Sequence, residues 1–398
     1  MPLAVLALTL SGFAIGVAEF IVAGLLPDIA TDLSVSMPTA GTLVSGYALG
    51  VVIGAPTLAF AARRTERRRL LMALVALFLA GTVLSALAPT YPVLMAGRIV
   101  SALAHGAFFG VAMVVAASLV GQERRGRAIA MVGAGVTLST LLGVPLGTLV
   151  GQHLGWRWAF GLVAIFAALG LVGIAAVVPV SHPEPSAGLR SEIAVLRRPA
   201  VVLTLLTTVL GFGGVMTSYT YIAAMMTEVT GFGSGAVTWI TMLFGLGMFA
   251  GNLAGGRLTD RRPDAALCGS LALLTVVLAS FTVTVHDKTA ALATVFCFGA
   301  AGMATIPALQ TRIMRLADGA PTLASASNIA AFNLANTAGP LLGGWCISSG
   351  LGYTALNTAG AAVSGTGLAL ATATVLAQRA RQHRNAPLTR STTSIVKG

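Results

Sequence analysis

GRLTDRRPDA, residues 256–265, is a short basic turn between two long apolar runs, and it has a counterpart. AFAARRTERR begins at Ala59, at an offset of 197 residues, and also follows an apolar run. A second pair sits at nearly the same offset, GVPLG (143–147) and GPLLGG (339–344). Two matches at one spacing identify an internal duplication, and a matched pair of helical halves is a plan that membrane transporters use, with the site near mid-membrane between them.

The composition fits a chain that lives in lipid. Of 398 residues, 56% are hydrophobic and only 9% charged, with a mean hydropathy of +0.89. No soluble core needs so much apolar surface, whereas a bilayer-spanning helix takes about 20 apolar residues. Twelve such spans are expected, at 3–26, 38–62, 70–88, 92–118, 128–150, 159–180, 200–223, 236–256, 265–285, 289–313, 322–347 and 353–377. The short alternating segments of a β-barrel are absent, so the backbone satisfies its hydrogen bonds in lipid as helix. The expected fold is therefore an all-α membrane protein of two six-helix bundles. Residues 1–180 form the first bundle, 181–199 a middle loop, 200–377 the second bundle and 378–398 a basic tail. The first apolar run lacks a basic start and a cleavage site, and is expected to stay in the mature protein as a span.

A net charge of +12 raises the question of nucleic acid, and the placement of the charge answers it. Lysine and arginine cluster at 63–69, 123–127, 189–199 and 257–262, at Arg312 and Arg315, and in the tail, all in alternate loops. The opposite loops hold only Arg157 and Lys288. Such asymmetry is the signature of cytoplasmic loops. Both termini and the middle loop are thus expected on the cytoplasmic side of the membrane, with no nucleic-acid partner. Within the middle loop, Leu189, Ile193 and Leu196 share the spacing of a short amphipathic surface helix. Trp156 and Trp158 flank Arg157 at an outer helix end and read as interfacial anchors.

Two charged side chains fall well inside spans, Glu19 in the first and Arg98 in the fourth. A charge at the bilayer centre costs roughly 2.5–3.5 kcal/mol on insertion scales, so each needs a partner or an aqueous cavity. Counted from the outer helix ends, both lie about 10 Å deep at 1.5 Å rise per residue, level enough to pair. Burial and a nearby guanidinium act oppositely on a carboxyl's hold on its proton. The approach of Arg98 would then set the state of Glu19. Three readings stay open: a proton switch, a substrate contact and a static structural pair. His105 shares the helical face of Arg98 and is either a proton relay or a histidine hydrogen-bonded to a neighbour. At an offset of 197 from Glu19 and Arg98 stand Met216 and Val295, so the charge chemistry belongs to the first half. Gly12, Gly16 and Glu19 share a small-residue face that suits tight packing or a cavity wall.

These features together resemble the major facilitator superfamily: the duplicated spans, the loop with Gly256, Asp260 and Arg261, the arginine in LMAGRIVSALAHGAFFG (94–110) and GVPLG in the fifth span. GVAEFIVAGLLPDIA (16–30), HGAFFG and FNLANTAGP (332–340) are similar to the bacterial drug:proton antiporter branch, which includes chloramphenicol-resistance exporters and sugar or nucleoside efflux proteins. In the first copy of the loop the family's glycine and aspartate are replaced by Ala59 and Arg63, and the fourth-span pattern carries Ser101 and Ala102 where the family has glutamine and glycine.

The resemblance implies a proton-coupled exporter of a small, partly apolar compound, an amphenicol being the first guess and a sugar or nucleoside the alternative. A membrane receptor or scaffold that transports nothing is the alternative of another class. It also implies that Gly256, Asp260 and Arg261 form a gating latch, and that Gly143, Pro145 and Gly147 keep the bundle leak-tight; for these glycines, and for Gly339 and Pro340, plain close packing is the competing reading. Tyr47, Phe108, Phe109, Tyr219, Tyr221, Phe296, Phe298, Asn333 and Asn336 are the aromatic and amide candidates for substrate contact. No phosphate-binding loop, metal-ligand spacing or nucleophilic constellation occurs. No cofactor or metal is expected, the chain is not an enzyme, and its partners are the substrate, protons and the bilayer around a monomer. Cys268, Cys297 and Cys346 lie in spans without ligand spacing and are expected to pack.

Overall fold

A computed structural model of the chain describes residues 3–61, 65–121, 124–180, 197–317 and 321–385. Fourteen α-helices carry them, and there is no strand among the described residues. The first half holds α1 (Leu3–Asp32), α2 (Met37–Ala61), α3 (Arg67–Ala86), α4 (Tyr91–Ser118), α5 (Arg125–Leu138), α6 (Val144–Leu154) and α7 (Trp156–Val177). The second holds α8 (Pro199–Tyr219), α9 (Ile222–Glu228), α10 (Ala236–Arg261), α11 (Pro263–Thr284), α12 (Lys288–Leu316), α13 (Pro321–Ser348) and α14 (Thr354–Asn385).

Two of the twelve expected spans are interrupted. A π-helical turn, Ser139–Gly143, joins α5 to α6 just before Pro145; a ring without an N–H breaks the regular ladder there. The seventh span breaks at Thr220 and Tyr221, between α8 and α9. Eleven segments of the described residues are long and apolar enough to cross a membrane. The twelfth, α13, carries Asn328, Asn333 and Asn336 on buried positions. Those amides lower its hydropathy without moving it out of the bundle, because they meet protein and not lipid. The proposed surface helix at 189–196 and the tail beyond residue 385 lie outside the described residues.

The helices pack as two bundles. In the first, α1 lies against α5 and α7, and α4 against α2 and α3; in the second, α12 lies against α10 and α11, and α8 against α13 and α14. The bundles join chiefly along two seams, α2 with α13, and α10 with the π turn and α6, and α1 also lies against α9. The repeat offset carries α2 onto α10 and α5–α6 onto α13, so the two seams are one contact made twice. Ser45 Oγ donates to the Thr337 carbonyl at 2.8 Å on the first seam. On the second, Gln152 Nε2 donates to the Ser234 carbonyl at 2.7 Å and accepts from Thr238 at 3.1 Å. Gly245 of α10 lies against the Thr140 carbonyl in the π turn, where any side chain would collide. These joints run from mid-depth to the side away from the basic loops.

On that side Trp158, Trp239 and Trp345 are exposed at 65%, 65% and 60%, each within four residues of a helix end. Tryptophan at one level on separate helices marks a membrane–water interface. Trp156 is different from the expectation: it is buried, and its Nε1 donates to Asp32 at 3.0 Å. Arg157 stacks on its ring, pairs with Asp32 at 2.6 Å and donates to the Ala88 carbonyl. This cluster staples the outer end of α1 to the start of α7. It exists because α1 continues six residues beyond the expected Leu26, to Asp32.

Arg312 also departs from the expectation of a loop charge. It lies within α12, is 7% exposed, and donates to Asp264 (3.4 Å), Thr374 (3.1 Å) and Gln378 (3.2 Å). Three acceptors from α11 and α14 allow a guanidinium to be buried there.

Candidate substrate and proton site

A narrow cavity, with little free volume in this arrangement, lies between the bundles at mid-depth. Glu19, Phe20 and Ala23 of α1, Val44, Tyr47 and Ala48 of α2, Met216 and Tyr219 of α8, Thr220 and Asn336 line it. The duplication builds it: Glu19 faces its repeat counterpart Met216, and Ala23 faces Thr220. The wall is mainly apolar, with aromatic surfaces from Phe20 and Tyr219, whose rings meet edge to face at 6.3 Å. Tyr219 is braced from behind by Phe244, stacked at 4.3 Å.

Glu19 is the one charged side chain of the lining. It lies thirteen residues before the end of α1, about 20 Å along the helix, deeper than the expected 10 Å because α1 is longer. Asn336 Nδ2, from the other bundle, donates to its Oε1 at 3.1 Å. Arg98 is level with it, since its Nη1 donates to the carbonyl of Ala18. Yet the two charges form no direct ion pair among the described residues. The Tyr47 ring takes the guanidinium instead, 4.1 Å from centroid to Cζ. Arg98 is 1% exposed, behind that ring and out of the cavity. His105 accepts or donates at Nδ1 to the Tyr47 hydroxyl, 3.1 Å away, and packs against Phe109.

Of the nine aromatic and amide candidates, the cavity takes Tyr47, Tyr219 and Asn336. Phe108 and Phe298 are fully buried within their own bundles, Phe108 against Phe109 and Phe298 between Phe244 and Phe281. Phe296 is 37% exposed on the outside of α12. Tyr221 is buried and donates to the Pro340 carbonyl at 2.9 Å, and Asn333 donates back to Ile329 in its own helix. Phe20, Val44, Met216 and Thr220 are lining residues that sequence reasoning missed. The signal for two of them was present: the repeat offset from Glu19 and Ala23 points at Met216 and Thr220.

The fifth-span glycines pack as a seam. Val17, Ile21 and Leu25 of α1 fill the positions that side chains on Gly143, Gly147 and Gly151 would occupy. Four-residue spacing on both helices lets their backbones approach closely. Pro145 opens α6 beside this seam. Gly339 plays the matching part in the second bundle, lying against Gly213 and Met216 of α8. Of the proposed latch, Asp260 and Arg261 are exposed at the end of α10, and neither side chain makes a hydrogen bond or ion pair among the described residues. Open space surrounds Gly256.

Eleven apolar spans and α13 among the described residues, in two duplicated bundles around a mid-depth cavity that both line, define a multi-pass membrane transporter. The model of the Major Facilitator Superfamily matches residues 8–331, and the chain belongs to that family. It is 42% identical to the inner membrane transport protein YdhP of Escherichia coli K12 over 365 residues, covering 92% of this chain and 94% of that one. It is 38% identical to a chloramphenicol resistance protein of Streptomyces lividans, over 86% of this chain and 88% of that one. A crystal structure of the peptide transporter POT superposes with a TM-score of 0.75 at 16% identity, over 96% of each chain, a likeness of fold.

Proposed function

We propose that this transporter exports a small, partly apolar compound in exchange for protons, with Glu19 as the proton-carrying group. The observation that carries the reading is the position of Glu19. It is the charged member of the cavity lining and is bonded by Asn336 across the joint between bundles. A carboxyl there can lose its proton when the cavity opens to one side and regain it from the other. Its hydrogen bond to the opposite bundle ties that change to the relative position of the two halves.

The aromatic walls and the few neutral polar groups suit a neutral arene bearing hydroxyl or amide groups, the chemistry of an amphenicol. The likeness to a chloramphenicol resistance protein supports the same substrate class. Thr220 and Asn336 also fit the hydroxyls of a sugar or nucleoside, the second reading. On this reading the chain works as a monomer in the bacterial cytoplasmic membrane, with both ends on the cytoplasmic side, and the side on which the basic loops fall supports that orientation.

Purified protein in proteoliposomes tests this with labelled chloramphenicol, a nucleoside and a sugar. Transport driven by a pH gradient is expected for one of them, falling at least tenfold in Glu19→Gln while exchange without a gradient persists. Undiminished gradient-driven transport in that variant would overturn the coupling role. Flux insensitive to the gradient would identify a uniporter, and no flux of any probe would favour a receptor.

A further inference from the structure

Arg98 occupies an unusual position for a buried charge. Its Nη1 is bonded to the Ala18 carbonyl, while Nε and Nη2 have no hydrogen-bond partner among the described residues. Unpaired charged donors in a membrane interior are costly, so this arrangement persists only if something holds the guanidinium away from the nearest carboxylate. That something is the Tyr47 ring. It covers the guanidinium on one side and lines the cavity with Glu19 on the other. Its hydroxyl is fixed by His105 at 3.1 Å, and His105 is itself packed edge-on to the same ring and against Phe109.

We infer that Tyr47 is a shutter, latched by His105, that keeps the Arg98 guanidinium apart from the Glu19 carboxyl and opens to let them pair. The inference rests on the proposed proton role of Glu19. It assigns His105 as a positioning residue that acts through Tyr47 and carries no proton. The titratable and charged groups around the ring are few: Glu19 from α1, Arg98 and His105 from α4, and Tyr219 from α8, while α13 brings the neutral Asn336. The shutter is also placed to feel the movement of the bundles. Tyr47 lies two residues from Ser45, which grips the Thr337 carbonyl on the opposite bundle. When that seam parts, α2 loses its hold on α13 and the ring is free to swing. Arg98 then reaches Glu19, and a guanidinium at ion-pair distance favours release of the proton.

The test reads the protonation of Glu19 without any transported compound. Infrared titration of the full-length protein in lipid, with Glu19→Gln to assign the carboxyl band, gives the proton affinity of Glu19. Tyr47→Phe keeps the ring and removes its latch; His105→Leu removes the same latch from the other side. Both are expected to lower the proton affinity of Glu19 about tenfold and by equal amounts, and His105→Gln, which still reaches the hydroxyl, restores it. In an Arg98→Met background, or Arg98→Gln if the first variant is not recovered, the effect of Tyr47→Phe vanishes. An unchanged affinity in Tyr47→Phe and His105→Leu would overturn the shutter, as would a shift that survives removal of Arg98. Since no substrate is involved, a failure here is separate from a failure of Glu19→Gln to abolish coupling. That second failure would overturn the coupling role itself.

Discussion

Asn336 Nδ2 and Glu19 Oε1 meet at 3.1 Å across the joint between the two bundles, α13 donating to α1. This bond couples a titratable group to the relative position of the halves. The Oδ1 of the same amide is buried without a hydrogen-bond partner among the described residues.

The bond gives a direct prediction. A hydrogen bond of this kind is worth about 0.5–1.5 kcal/mol, and an aspartate in place of the amide lacks the N–H donor that makes it. Asn336→Asp is therefore expected to weaken closure of the outer side. With the three native cysteines replaced and Ser45→Cys introduced on the seam, labelling by an impermeant maleimide should rise about tenfold over the Asn336 parent. Equal labelling would show that this contact does not hold the bundles together.

The α1–α6 seam makes a different one. Gly147 lies against Ile21, and a bulkier residue must push the two helices apart. Overpacking of this kind costs about 1–3 kcal/mol. Gly147→Leu should lower the melting temperature in detergent by several degrees and admit protons into liposomes under a pH gradient. Gly133→Ala, where no atom lies within 4 Å, should do neither. A tight, stable Gly147→Leu protein would remove the seam from the argument.

A neutral polar chain crosses the second bundle near its inner end. Thr208 donates to Asn328 at 2.7 Å, Asn328 to Gln310 at 2.8 Å, and Gln310 to Ser325. Asn328 is fully buried. Leucine there leaves the Gln310 side-chain oxygen without its donor in a dry interior, at about 1–3 kcal/mol, while Thr208 keeps its bond to the Thr204 carbonyl at 3.2 Å. Asn328→Leu is expected to melt well below the parent in detergent, whereas Asn328→Gln recovers part of the loss. A stable leucine variant would show the network to be dispensable.

The fold was legible because three independent signals agreed: run length, the alternation of basic loops and the offset that matches Ala59 to Gly256. Depth was less legible. Asp32 at the end of α1 meets Arg157 and Trp156 from far along the chain, and a tertiary contact of that kind leaves no periodic trace in the sequence. The same holds for the site. Glu19 and Arg98 stand out as charges in apolar runs, but the Tyr47 ring on which Arg98 stacks is an ordinary aromatic in the sequence. Phe108 and Phe298 show the converse, since burial within a bundle and exposure to a cavity require the same residue type.

Asp260 offers the last prediction. It sits at the exposed end of α10 with no partner among the described residues, in an arrangement whose joints lie at mid-depth and beyond. A latch that engages only when the basic-loop side closes would be idle here, and its loss would not cost this arrangement any stability. Asp260→Asn is accordingly expected to leave the melting temperature within a degree or so of the parent while slowing transport several-fold, because the opposite arrangement loses a charged contact worth about 1–2 kcal/mol. Melting in detergent and initial transport rates in proteoliposomes, measured on the same preparation, separate the two effects. A large fall in melting temperature would make Asp260 a structural residue of the second bundle, and an unchanged rate would mean that the turn GRLTDRRPDA serves topology alone.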